Sequence, residues 1–161
     1  FETMKFARDL GVTVILDPSP IREVPNKFYS FADILTPNEV EASSISGISV
    51  TDYNSACIAA RKIRRKGPGT VIITMGELGA YVESDSQSEF LPGYKADVVA
   101  SVGAGDAFNG GLAVGIAEGQ SLVDILSLAM ASGAFCVGGK GAQEAMGTRE
   151  DIRNLLEKQK N

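Results

Sequence analysis

The sequence has no histidine among its 161 residues. Histidine is the usual general base of serine and cysteine hydrolases and a common zinc ligand, so the sequence predicts neither kind of site. Acid–base chemistry must then use carboxylates, lysine, tyrosine or the backbone. The two cysteines, Cys57 and Cys136, fall in predicted helices and form no metal-ligand motif. We therefore expect reduced thiols, as in a cytoplasmic protein.

Long apolar runs and basic surfaces are also scarce. The sequence has no run of about 18 apolar residues and no signal-peptide pattern, which predicts no membrane span. The net charge is −5, and no face rich in lysine and arginine is obvious. The one basic run, Arg61–Lys66, closes a predicted helix, where the helix dipole favours cations. We therefore expect neither a nucleic-acid partner nor a membrane partner.

Strand-like and helical segments alternate along the chain, which is typical of an α/β fold with a largely parallel sheet. The strands are predicted at 12–16, 34–36, 71–75, 80–83, 89–91 and 96–102. The helices are predicted at 1–10, at 39–46, after Asp52, at 106–118, at 121–137 and from Thr148 onward. The strands at 80–83 and 89–91 flank a polar turn and predict an antiparallel hairpin at a sheet edge.

Polar or small residues follow several of these strands. In open α/β sheets, ligands bind beyond the carboxyl ends of the strands. Asp17, Asn38, Thr74 and Gly103 all lie at or just past predicted strand ends. We therefore expect these four residues at one edge of the sheet.

The segment Val102–Gly110 reads VGAGDAFNG and leads into a long predicted helix. Small residues let the backbone approach a ligand, and a helix N-terminus presents unpaired N–H groups with a partial positive charge. Together these features favour a phosphate site. Beside it, the carboxylate of Asp106 is placed to accept a proton from an attacking hydroxyl. Taken alone, Asp106 fits a second interpretation equally well, in which it only complements the helix dipole.

Two common nucleotide motifs are absent. Gly139-Lys140 lacks both the upstream glycine and the following serine or threonine of a P-loop. Gly103 and Gly105 match the first two glycines of the dinucleotide fingerprint, but Phe108 occupies the third position. No strand with an acidic end follows about 20 residues later, where the ribose contact requires one.

Segment 103–110 instead resembles the C-terminal signature of the ribokinase-like (PfkB) carbohydrate kinases. Three further segments are similar to family elements and occur in the family order. They are TPNEVE at 36–41 (the Asn-x-x-Glu element), TMGELG at 74–79 (a Thr-x-Gly-x-x-Gly nucleotide loop) and GKGAQ at 139–143 (the loop near a monovalent-cation site). The segment LDPSPIR at 16–22 also resembles a strand exit of the ribokinase branch. The resemblance covers essentially the whole chain and implies a Rossmann-like three-layer α/β/α fold with a mostly parallel sheet, here incomplete.

The resemblance also implies roles for individual residues. Asp106 matches the catalytic base that contacts the sugar hydroxyl, and the backbone N–H groups of Gly103, Ala104 and Gly105 match the anion hole. Glu41 matches a residue that arranges Mg²⁺ through water. The residues at ATP-binding positions of the family are Asn38, Thr74, Gly76, Glu77, Gly79, Gly105 and Met130.

Simpler interpretations exist for these residues, and the sequence also departs from the family. Asn38 alone fits a helix cap, and the glycines of 74–79 alone fit hairpin turns. Ala100 stands where the family commonly has an aspartate ligand for a monovalent cation, which counts against potassium activation. Backbone carbonyls of Val102, Cys136 and Gly141 remain candidate cation ligands.

By resemblance, the function is ATP-dependent phosphorylation of a sugar hydroxyl with ATP and Mg²⁺, and a pentose such as ribose is favoured. The family's N-terminal half carries most sugar-recognising residues and the lid, and the sequence does not contain it. We therefore expect residues 1–161 to be a single domain, the C-terminal nucleotide-binding half of a cytoplasmic kinase. Alone it should be inactive, and it should pair with the missing half or form a homo-oligomer. The alternatives are a truncated fragment that binds ATP or ADP without catalysis, and a purely structural assembly partner.

Overall fold

The computed structural model describes residues 1–159 and forms two compact units, Phe1–Leu91 and Pro92–Asn161. The first unit contains helices α1 (Glu2–Asp9), α2 (Glu39–Ser46) and α3 (Tyr53–Arg64), and strands β1 (Ile15–Leu16), β2 (Ile34–Leu35), β3 (Thr70–Thr74), β4 (Gly79–Glu83) and β5 (Ser88–Pro92), the last reaching the unit boundary. Short 3-10 helices span Asn26–Phe31 and Gly76–Leu78. The second unit contains α4 (Ala104–Ala117), α5 (Leu122–Cys136) and α6 (Arg149–Lys158).

The five strands form one sheet in the order β1-β2-β3-β4-β5. β1 pairs with β2 and β2 with β3 in parallel, whereas β3 and β4 are antiparallel, with Val71 opposite Glu83. Residues 71–73 of β3 are fully buried, as expected for a continuous apolar strand inside a mixed sheet. β4 and β5 are joined by a tight turn in which the Ser84 N–H donates to the Gln87 carbonyl. The predicted α/β fold, with parallel strands and an edge hairpin, is confirmed.

Helix α3 carries most of the core contact between helix and sheet in the first unit. Its buried face is almost entirely small, with Ala56, Ala59 and Ala60 above Ile63, so the helix packs closely on β3 and β4. At its start, Asp52 and Ser55 form a reciprocal capping box. The cap confirms the predicted helix start.

Helices α4 and α5 pack tightly against each other in the second unit. Gly111 makes this approach possible, because a Cβ there would lie 2.9 Å from Ala129 Cα and 3.0 Å from the Leu128 carbonyl oxygen. Helix α5 is apolar nearly all round, which predicts a buried helix, but Val123 in its first turn is 57% exposed. Among the described residues, none of the helices combines the length and apolar content needed to cross a bilayer.

One predicted strand is wrong and another is shorter. Residues 96–102 form no strand, because the N–H groups of Val99 and Ala100 both donate to the carbonyl of Val137 at the end of α5. These donors are therefore unavailable to a β-ladder. The strand predicted at 12–16 is reduced to Ile15–Leu16. The thiols are free as expected, although Cys57 is only half-buried.

The second unit should lose stability in acid. Thr148 hydrogen bonds lower the pKa of Asp151 at the start of α6, and the hydrogen bond from Arg149 lowers the pKa of Glu118. A carboxyl with a lowered folded-state pKa stabilises the fold above its unfolded pKa, about 4, and this stabilisation is lost as pH falls through the folded value. We expect the urea midpoint, followed by circular dichroism, to fall below about pH 5. The Asp151→Asn variant should show a shallower fall, and a midpoint unchanged in acid would contradict the assignment.

Candidate active site

Asn38 and Glu41 form the first turn of α2. The Glu41 N–H donates to Asn38 Oδ1 at 2.9 Å, and the Asn38 N–H donates to Glu41 Oε2 at 2.8 Å. This capping box pairs two backbone donors, so the helix-cap interpretation of Asn38 is confirmed. Glu41 is 6% exposed, and its Oε1 makes no hydrogen bond with any residue from 1 to 159. That oxygen fits a water-mediated contact to Mg²⁺, and this role stays a prediction.

Thr74 lies directly beside this cap. Its N–H donates to the Pro37 carbonyl at 3.0 Å, and Thr74 forms a parallel bridge with Asn38. Asn38 and Thr74 come from separate sequence motifs, and the sheet makes them neighbours. Asp17 follows β1 at the same edge, because β1, β2 and β3 are parallel. Asp17, Asn38 and Thr74 therefore lie at one edge of the sheet, as the sequence predicts.

The loop after Thr74 requires glycine at two positions. Gly76 has φ 53° and Gly79 has φ 112°, in the region that side chains rarely adopt. The Met75 N–H donates to the Gly79 carbonyl at 2.8 Å, which closes the loop between β3 and β4, while Glu77 is exposed. A Cβ at Gly76 would lie 3.9 Å from Glu39 Oε1, so the loop borders the start of α2. The positive φ angles of this turn are sufficient to explain why both positions are glycine. ATP binding by Gly76, Glu77 and Gly79 stays a prediction.

In the second unit, Gly103 is the N-cap of α4 with φ 84°. The Ala104 N–H donates to the Ser101 carbonyl at 3.3 Å, whereas the Gly105 N–H has no acceptor within residues 1–159. Such donors carry the positive end of the helix dipole, which gives this turn the chemistry of an anion site. A Cβ at Gly103 would lie 3.1 Å from the Cα of Ala142, so only glycine fits this approach.

Asp106 is exposed in the first turn of α4 and makes no cap hydrogen bond. Burial raises the pKa of the Cys136 thiol, and the negative charge of the Asp106 carboxylate raises it further. Cys136 therefore stays protonated near neutral pH. The side chain of Asp106 is free to reach a ligand at the helix N-terminus, as a general base requires.

The predicted monovalent-cation ligands lie near this turn. The Cys136 Sγ–H points to the Val102 carbonyl oxygen at 3.9 Å, and the Gly139 N–H donates to the Cys136 carbonyl at 3.1 Å. Gly141 has φ 86°. Two of the three candidate carbonyls therefore already accept hydrogen bonds, and Ala100 supplies no carboxylate. Each carbonyl oxygen keeps a second lone pair, so the three carbonyls stay predicted cation ligands.

A cavity of about 280 Å³ borders Asp106 and was not predicted from the sequence. Gly110 and Val114 line it with Asp106, since these residues recur every four positions along α4. That spacing is the signal from which the lining could have been predicted. Ser132 and Arg149 add polar groups, and Arg149 forms an ion pair with Glu118. Met130 is half-buried in α5 and does not line the cavity.

The predicted site residues thus form two groups, one in each unit. The first unit brings together the cap of α2, Thr74 and the glycine loop, and the second brings together 102–106, Cys136 and 139–143. Within residues 1–159, no cluster of three or more cysteine, aspartate or glutamate side chains is arranged to hold a metal ion.

Comparison with known proteins identifies the family. Residues 1–149 match the model of the pfkB family carbohydrate kinases. Ribokinase from Haemophilus influenzae is 35% identical over 153 residues, covering 95% of this chain and 50% of that protein. Ribokinase from Staphylococcus aureus is 32% identical, covering 94% of this chain and 50% of that protein.

Solved structures agree in fold. Arabidopsis thaliana ribokinase complexed with ribose and ATP superposes with a TM-score of 0.90 at 31% identity, covering 96% of this chain and 51% of that one. Thermotoga maritima ribokinase superposes with a TM-score of 0.86 at 30% identity, covering 96% of this chain and 52% of that one. The chain spans about half the length of the curated relatives it matches. It has the ribokinase-like α/β fold and belongs to the pfkB family of carbohydrate kinases.

Proposed function

We propose that this chain is the nucleotide-binding and catalytic C-terminal half of an ATP-dependent sugar kinase. The observation that carries the proposal is the start of α4, where an exposed carboxylate, Asp106, stands beside a helix N-terminus with an unpaired N–H at Gly105. The two groups match the two needs of phosphoryl transfer, a proton acceptor and a site for negative charge. The chain covers about half the length of each relative, which supports its description as one half of a kinase.

In this proposal, a sugar hydroxyl oxygen attacks the γ-phosphorus of ATP and ADP leaves. Asp106 accepts the proton of that hydroxyl. A carboxylate is a weak base, but it suffices if the proton leaves late in the reaction. Positioning and charge neutralisation dominate phosphoryl transfer, so a strong base is not required.

The backbone N–H groups of Gly103, Ala104 and Gly105 form the proposed anion hole for charge developing on the phosphoryl oxygens, and the Ala104 N–H would exchange its 3.3 Å bond to the Ser101 carbonyl for the ligand. Preorganised donors of this kind contribute about 2.7–4 kcal/mol each in studied oxyanion holes. The left-handed conformation of Gly103 supports this role, because it lets the backbone begin α4 close to Ala142 with no side chain between them.

In the first unit, Thr74 and the loop to Gly79 are proposed to contact the ATP phosphates and ribose, with Asn38 beside them. The Asn38–Thr74 bridge supports this role because it fixes the two motifs in one place. When bound, Mg²⁺ would neutralise charge on the phosphates, and Glu41 Oε1 would hold one of its waters. Met130 is proposed to give an apolar contact to the nucleotide from α5.

The acceptor is proposed to be a pentose such as ribose. Relatives named ribokinase and deoxyribokinase support this class, and the latter, from Salmonella typhi, is 31% identical to the chain. The remaining half of the kinase would supply the sugar pocket, so the chain should pair with it or self-associate. A cytoplasmic location fits its free thiols.

Calorimetric titration with Mg–ADP tests the nucleotide site on this chain directly. We expect saturable binding to the wild type, weakened in Asn38→Ala. That variant also loses a helix cap, worth about 1 kcal/mol of stability.

Asp52→Ala is the matched control, because it removes the same kind of capping box at α3 without touching the proposed site. It should bind Mg–ADP like the wild type. If the Asn38→Ala and Asp52→Ala variants bound Mg–ADP equally well, Asn38 would act only as a helix cap. No heat from the wild type at millimolar nucleotide would favour the structural assembly role, and binding without catalysis in a longer protein would favour the non-catalytic fragment.

A further inference from the structure

The peptide group between Val102 and Gly103 carries the first donor of the proposed anion hole, the Gly103 N–H. This N–H has no acceptor in the described chain, residues 1–159. Val102 is 65% exposed, so packing of its side chain does not hold the peptide group in place. Glycine adopts positive and negative φ about equally well, so the backbone at Gly103 also leaves this group free to turn over. Another contact must therefore set the direction in which the N–H points.

The thiol of Cys136 makes that contact. Its Sγ–H donates to the Val102 carbonyl oxygen at 3.9 Å, and no other donor from residues 1–159 reaches this oxygen. Cys136 is fully buried and packs with Ala107 and Ala145, which fixes the position of the donor. The Val102 carbonyl is therefore directed toward the buried end of α5.

The planar peptide group transmits this direction to the N–H. The peptide bond between Val102 and Gly103 is trans. In a planar trans peptide the C=O and the N–H point in opposite directions. Because the carbonyl is held toward Cys136, the Gly103 N–H points away from the core.

Two neighbouring contacts hold the turn in place without acting on this peptide group. The N–H groups of Val99 and Ala100 donate to the Val137 carbonyl at 2.7 and 3.1 Å, which ties the preceding segment to the same end of α5. On the other side, a Cβ at Gly103 would lie 3.1 Å from Ala142 Cα. Neither contact bonds to the carbonyl oxygen or to the N–H of the peptide group, so its orientation depends on the thiol.

We propose that Cys136 is a positioning residue of the anion hole, whose thiol holds the Val102 carbonyl inward and thereby turns the Gly103 N–H outward to the phosphoryl oxygens. The inference rests on the proposed kinase function. A thiol is a weak donor, so its removal should shift the balance between two orientations of the peptide group rather than abolish the site.

Steady-state kinetics of the complete kinase test the catalytic part of the proposal. Cys136→Ala removes the donor, and we expect kcat about three- to tenfold below that of the wild type, the effect of losing one ordinary hydrogen bond. The KM for ATP should stay within about twofold, because the anion hole acts on charge that develops in the transition state. Cys136→Ser keeps a donor and should recover kcat to within about twofold of the wild type. A merely structural role would produce neither the split between kcat and KM nor the recovery by serine.

NMR chemical shifts of the 161-residue chain test the contact itself, without nucleotide. In Cys136→Ala, the Val102 carbonyl carbon and the Gly103 amide nitrogen should shift more than the other backbone atoms of residues 98–110. In Cys136→Ser the same two atoms should shift less than in Cys136→Ala.

Cys57→Ala is the matched control, because it removes the other thiol, which contacts the Tyr81 hydroxyl at 3.2 Å in the first unit. It should change neither these shifts nor kcat. Three results would overturn the proposal: unchanged shifts in Cys136→Ala, unchanged kcat in that variant, or equal losses of kcat in Cys136→Ala and Cys136→Ser. A complete wild-type kinase that phosphorylates no sugar would overturn the proposed function instead, and the shifts of the chain would still show whether Cys136 holds the peptide group.

Discussion

Replacing Asp106 with asparagine should lower kcat of the complete kinase by about a hundred- to ten-thousand-fold, the usual contribution of a general base. The amide keeps the size of the side chain but cannot accept the hydroxyl proton. Binding of Mg–ADP should be retained, because the helix N-terminus and the glycine loop are unchanged. Steady-state kinetics with ATP and a pentose, together with calorimetry, measure the two effects separately.

Asp124→Asn is the control for this variant. Asp124 also lies in the first turn of a helix in the second unit, but it is bonded to Ser121 at the start of α5. Its replacement should leave kcat within about twofold, because a surface substitution away from the site has little effect. If the Asp106→Asn variant kept near-normal turnover, Asp106 would not be the general base and would only complement the helix dipole.

Two isomeric variants in α4 should differ in stability by about 1–4 kcal/mol. At Gly110 a Cβ meets nothing within 4 Å, so Gly110→Ala gains helix propensity and should stabilise by up to about 1 kcal/mol. At Gly111 a Cβ would lie 2.7 Å from Ser132 Oγ and 2.9 Å from Ala129 Cα. Gly111→Ala must push α4 and α5 apart and should destabilise by about 1–3 kcal/mol.

Urea unfolding of the two variants under the same conditions measures this difference. Because the variants have the same composition, changes in the unfolded chain largely cancel between them. Equal midpoints, or a more stable Gly111 variant, would show that α4 and α5 do not pack as described. The comparison also bears on the proposed site, since this packing supports the helix that carries Asp106.

Local signals account for the elements that the sequence predicts well. Helix α2 begins after Asn38 and ends at Ser46 as predicted, because Asn38 caps one end and Gly47, with φ 70°, ends the other. Helix α6 begins at its predicted Thr148 cap for the same reason. Strand β3 is shifted by one residue from its predicted position, which its uninterrupted apolar run tolerates.

Long-range partners decide what the sequence could not predict. The apolar segment 96–102 has the composition of a strand, but its donors at Val99 and Ala100 are taken by a carbonyl at the end of α5. The contact of Gly103 with Ala142 joins segments far apart in the chain, and no local pattern encodes it. For the candidate site, motif order gave the residues, whereas the bridge between Asn38 and Thr74 emerged only from the fold.

Phosphorus NMR of the complete kinase, incubated with Mg–ATP and ribose, tests the central claim most directly. The account predicts that ADP and a sugar phosphate ester appear together in equal amounts, that both depend on ribose, and that both are lost in Asp106→Asn. It would be contradicted by ADP and inorganic phosphate forming without the ester, or by no turnover with any pentose tested.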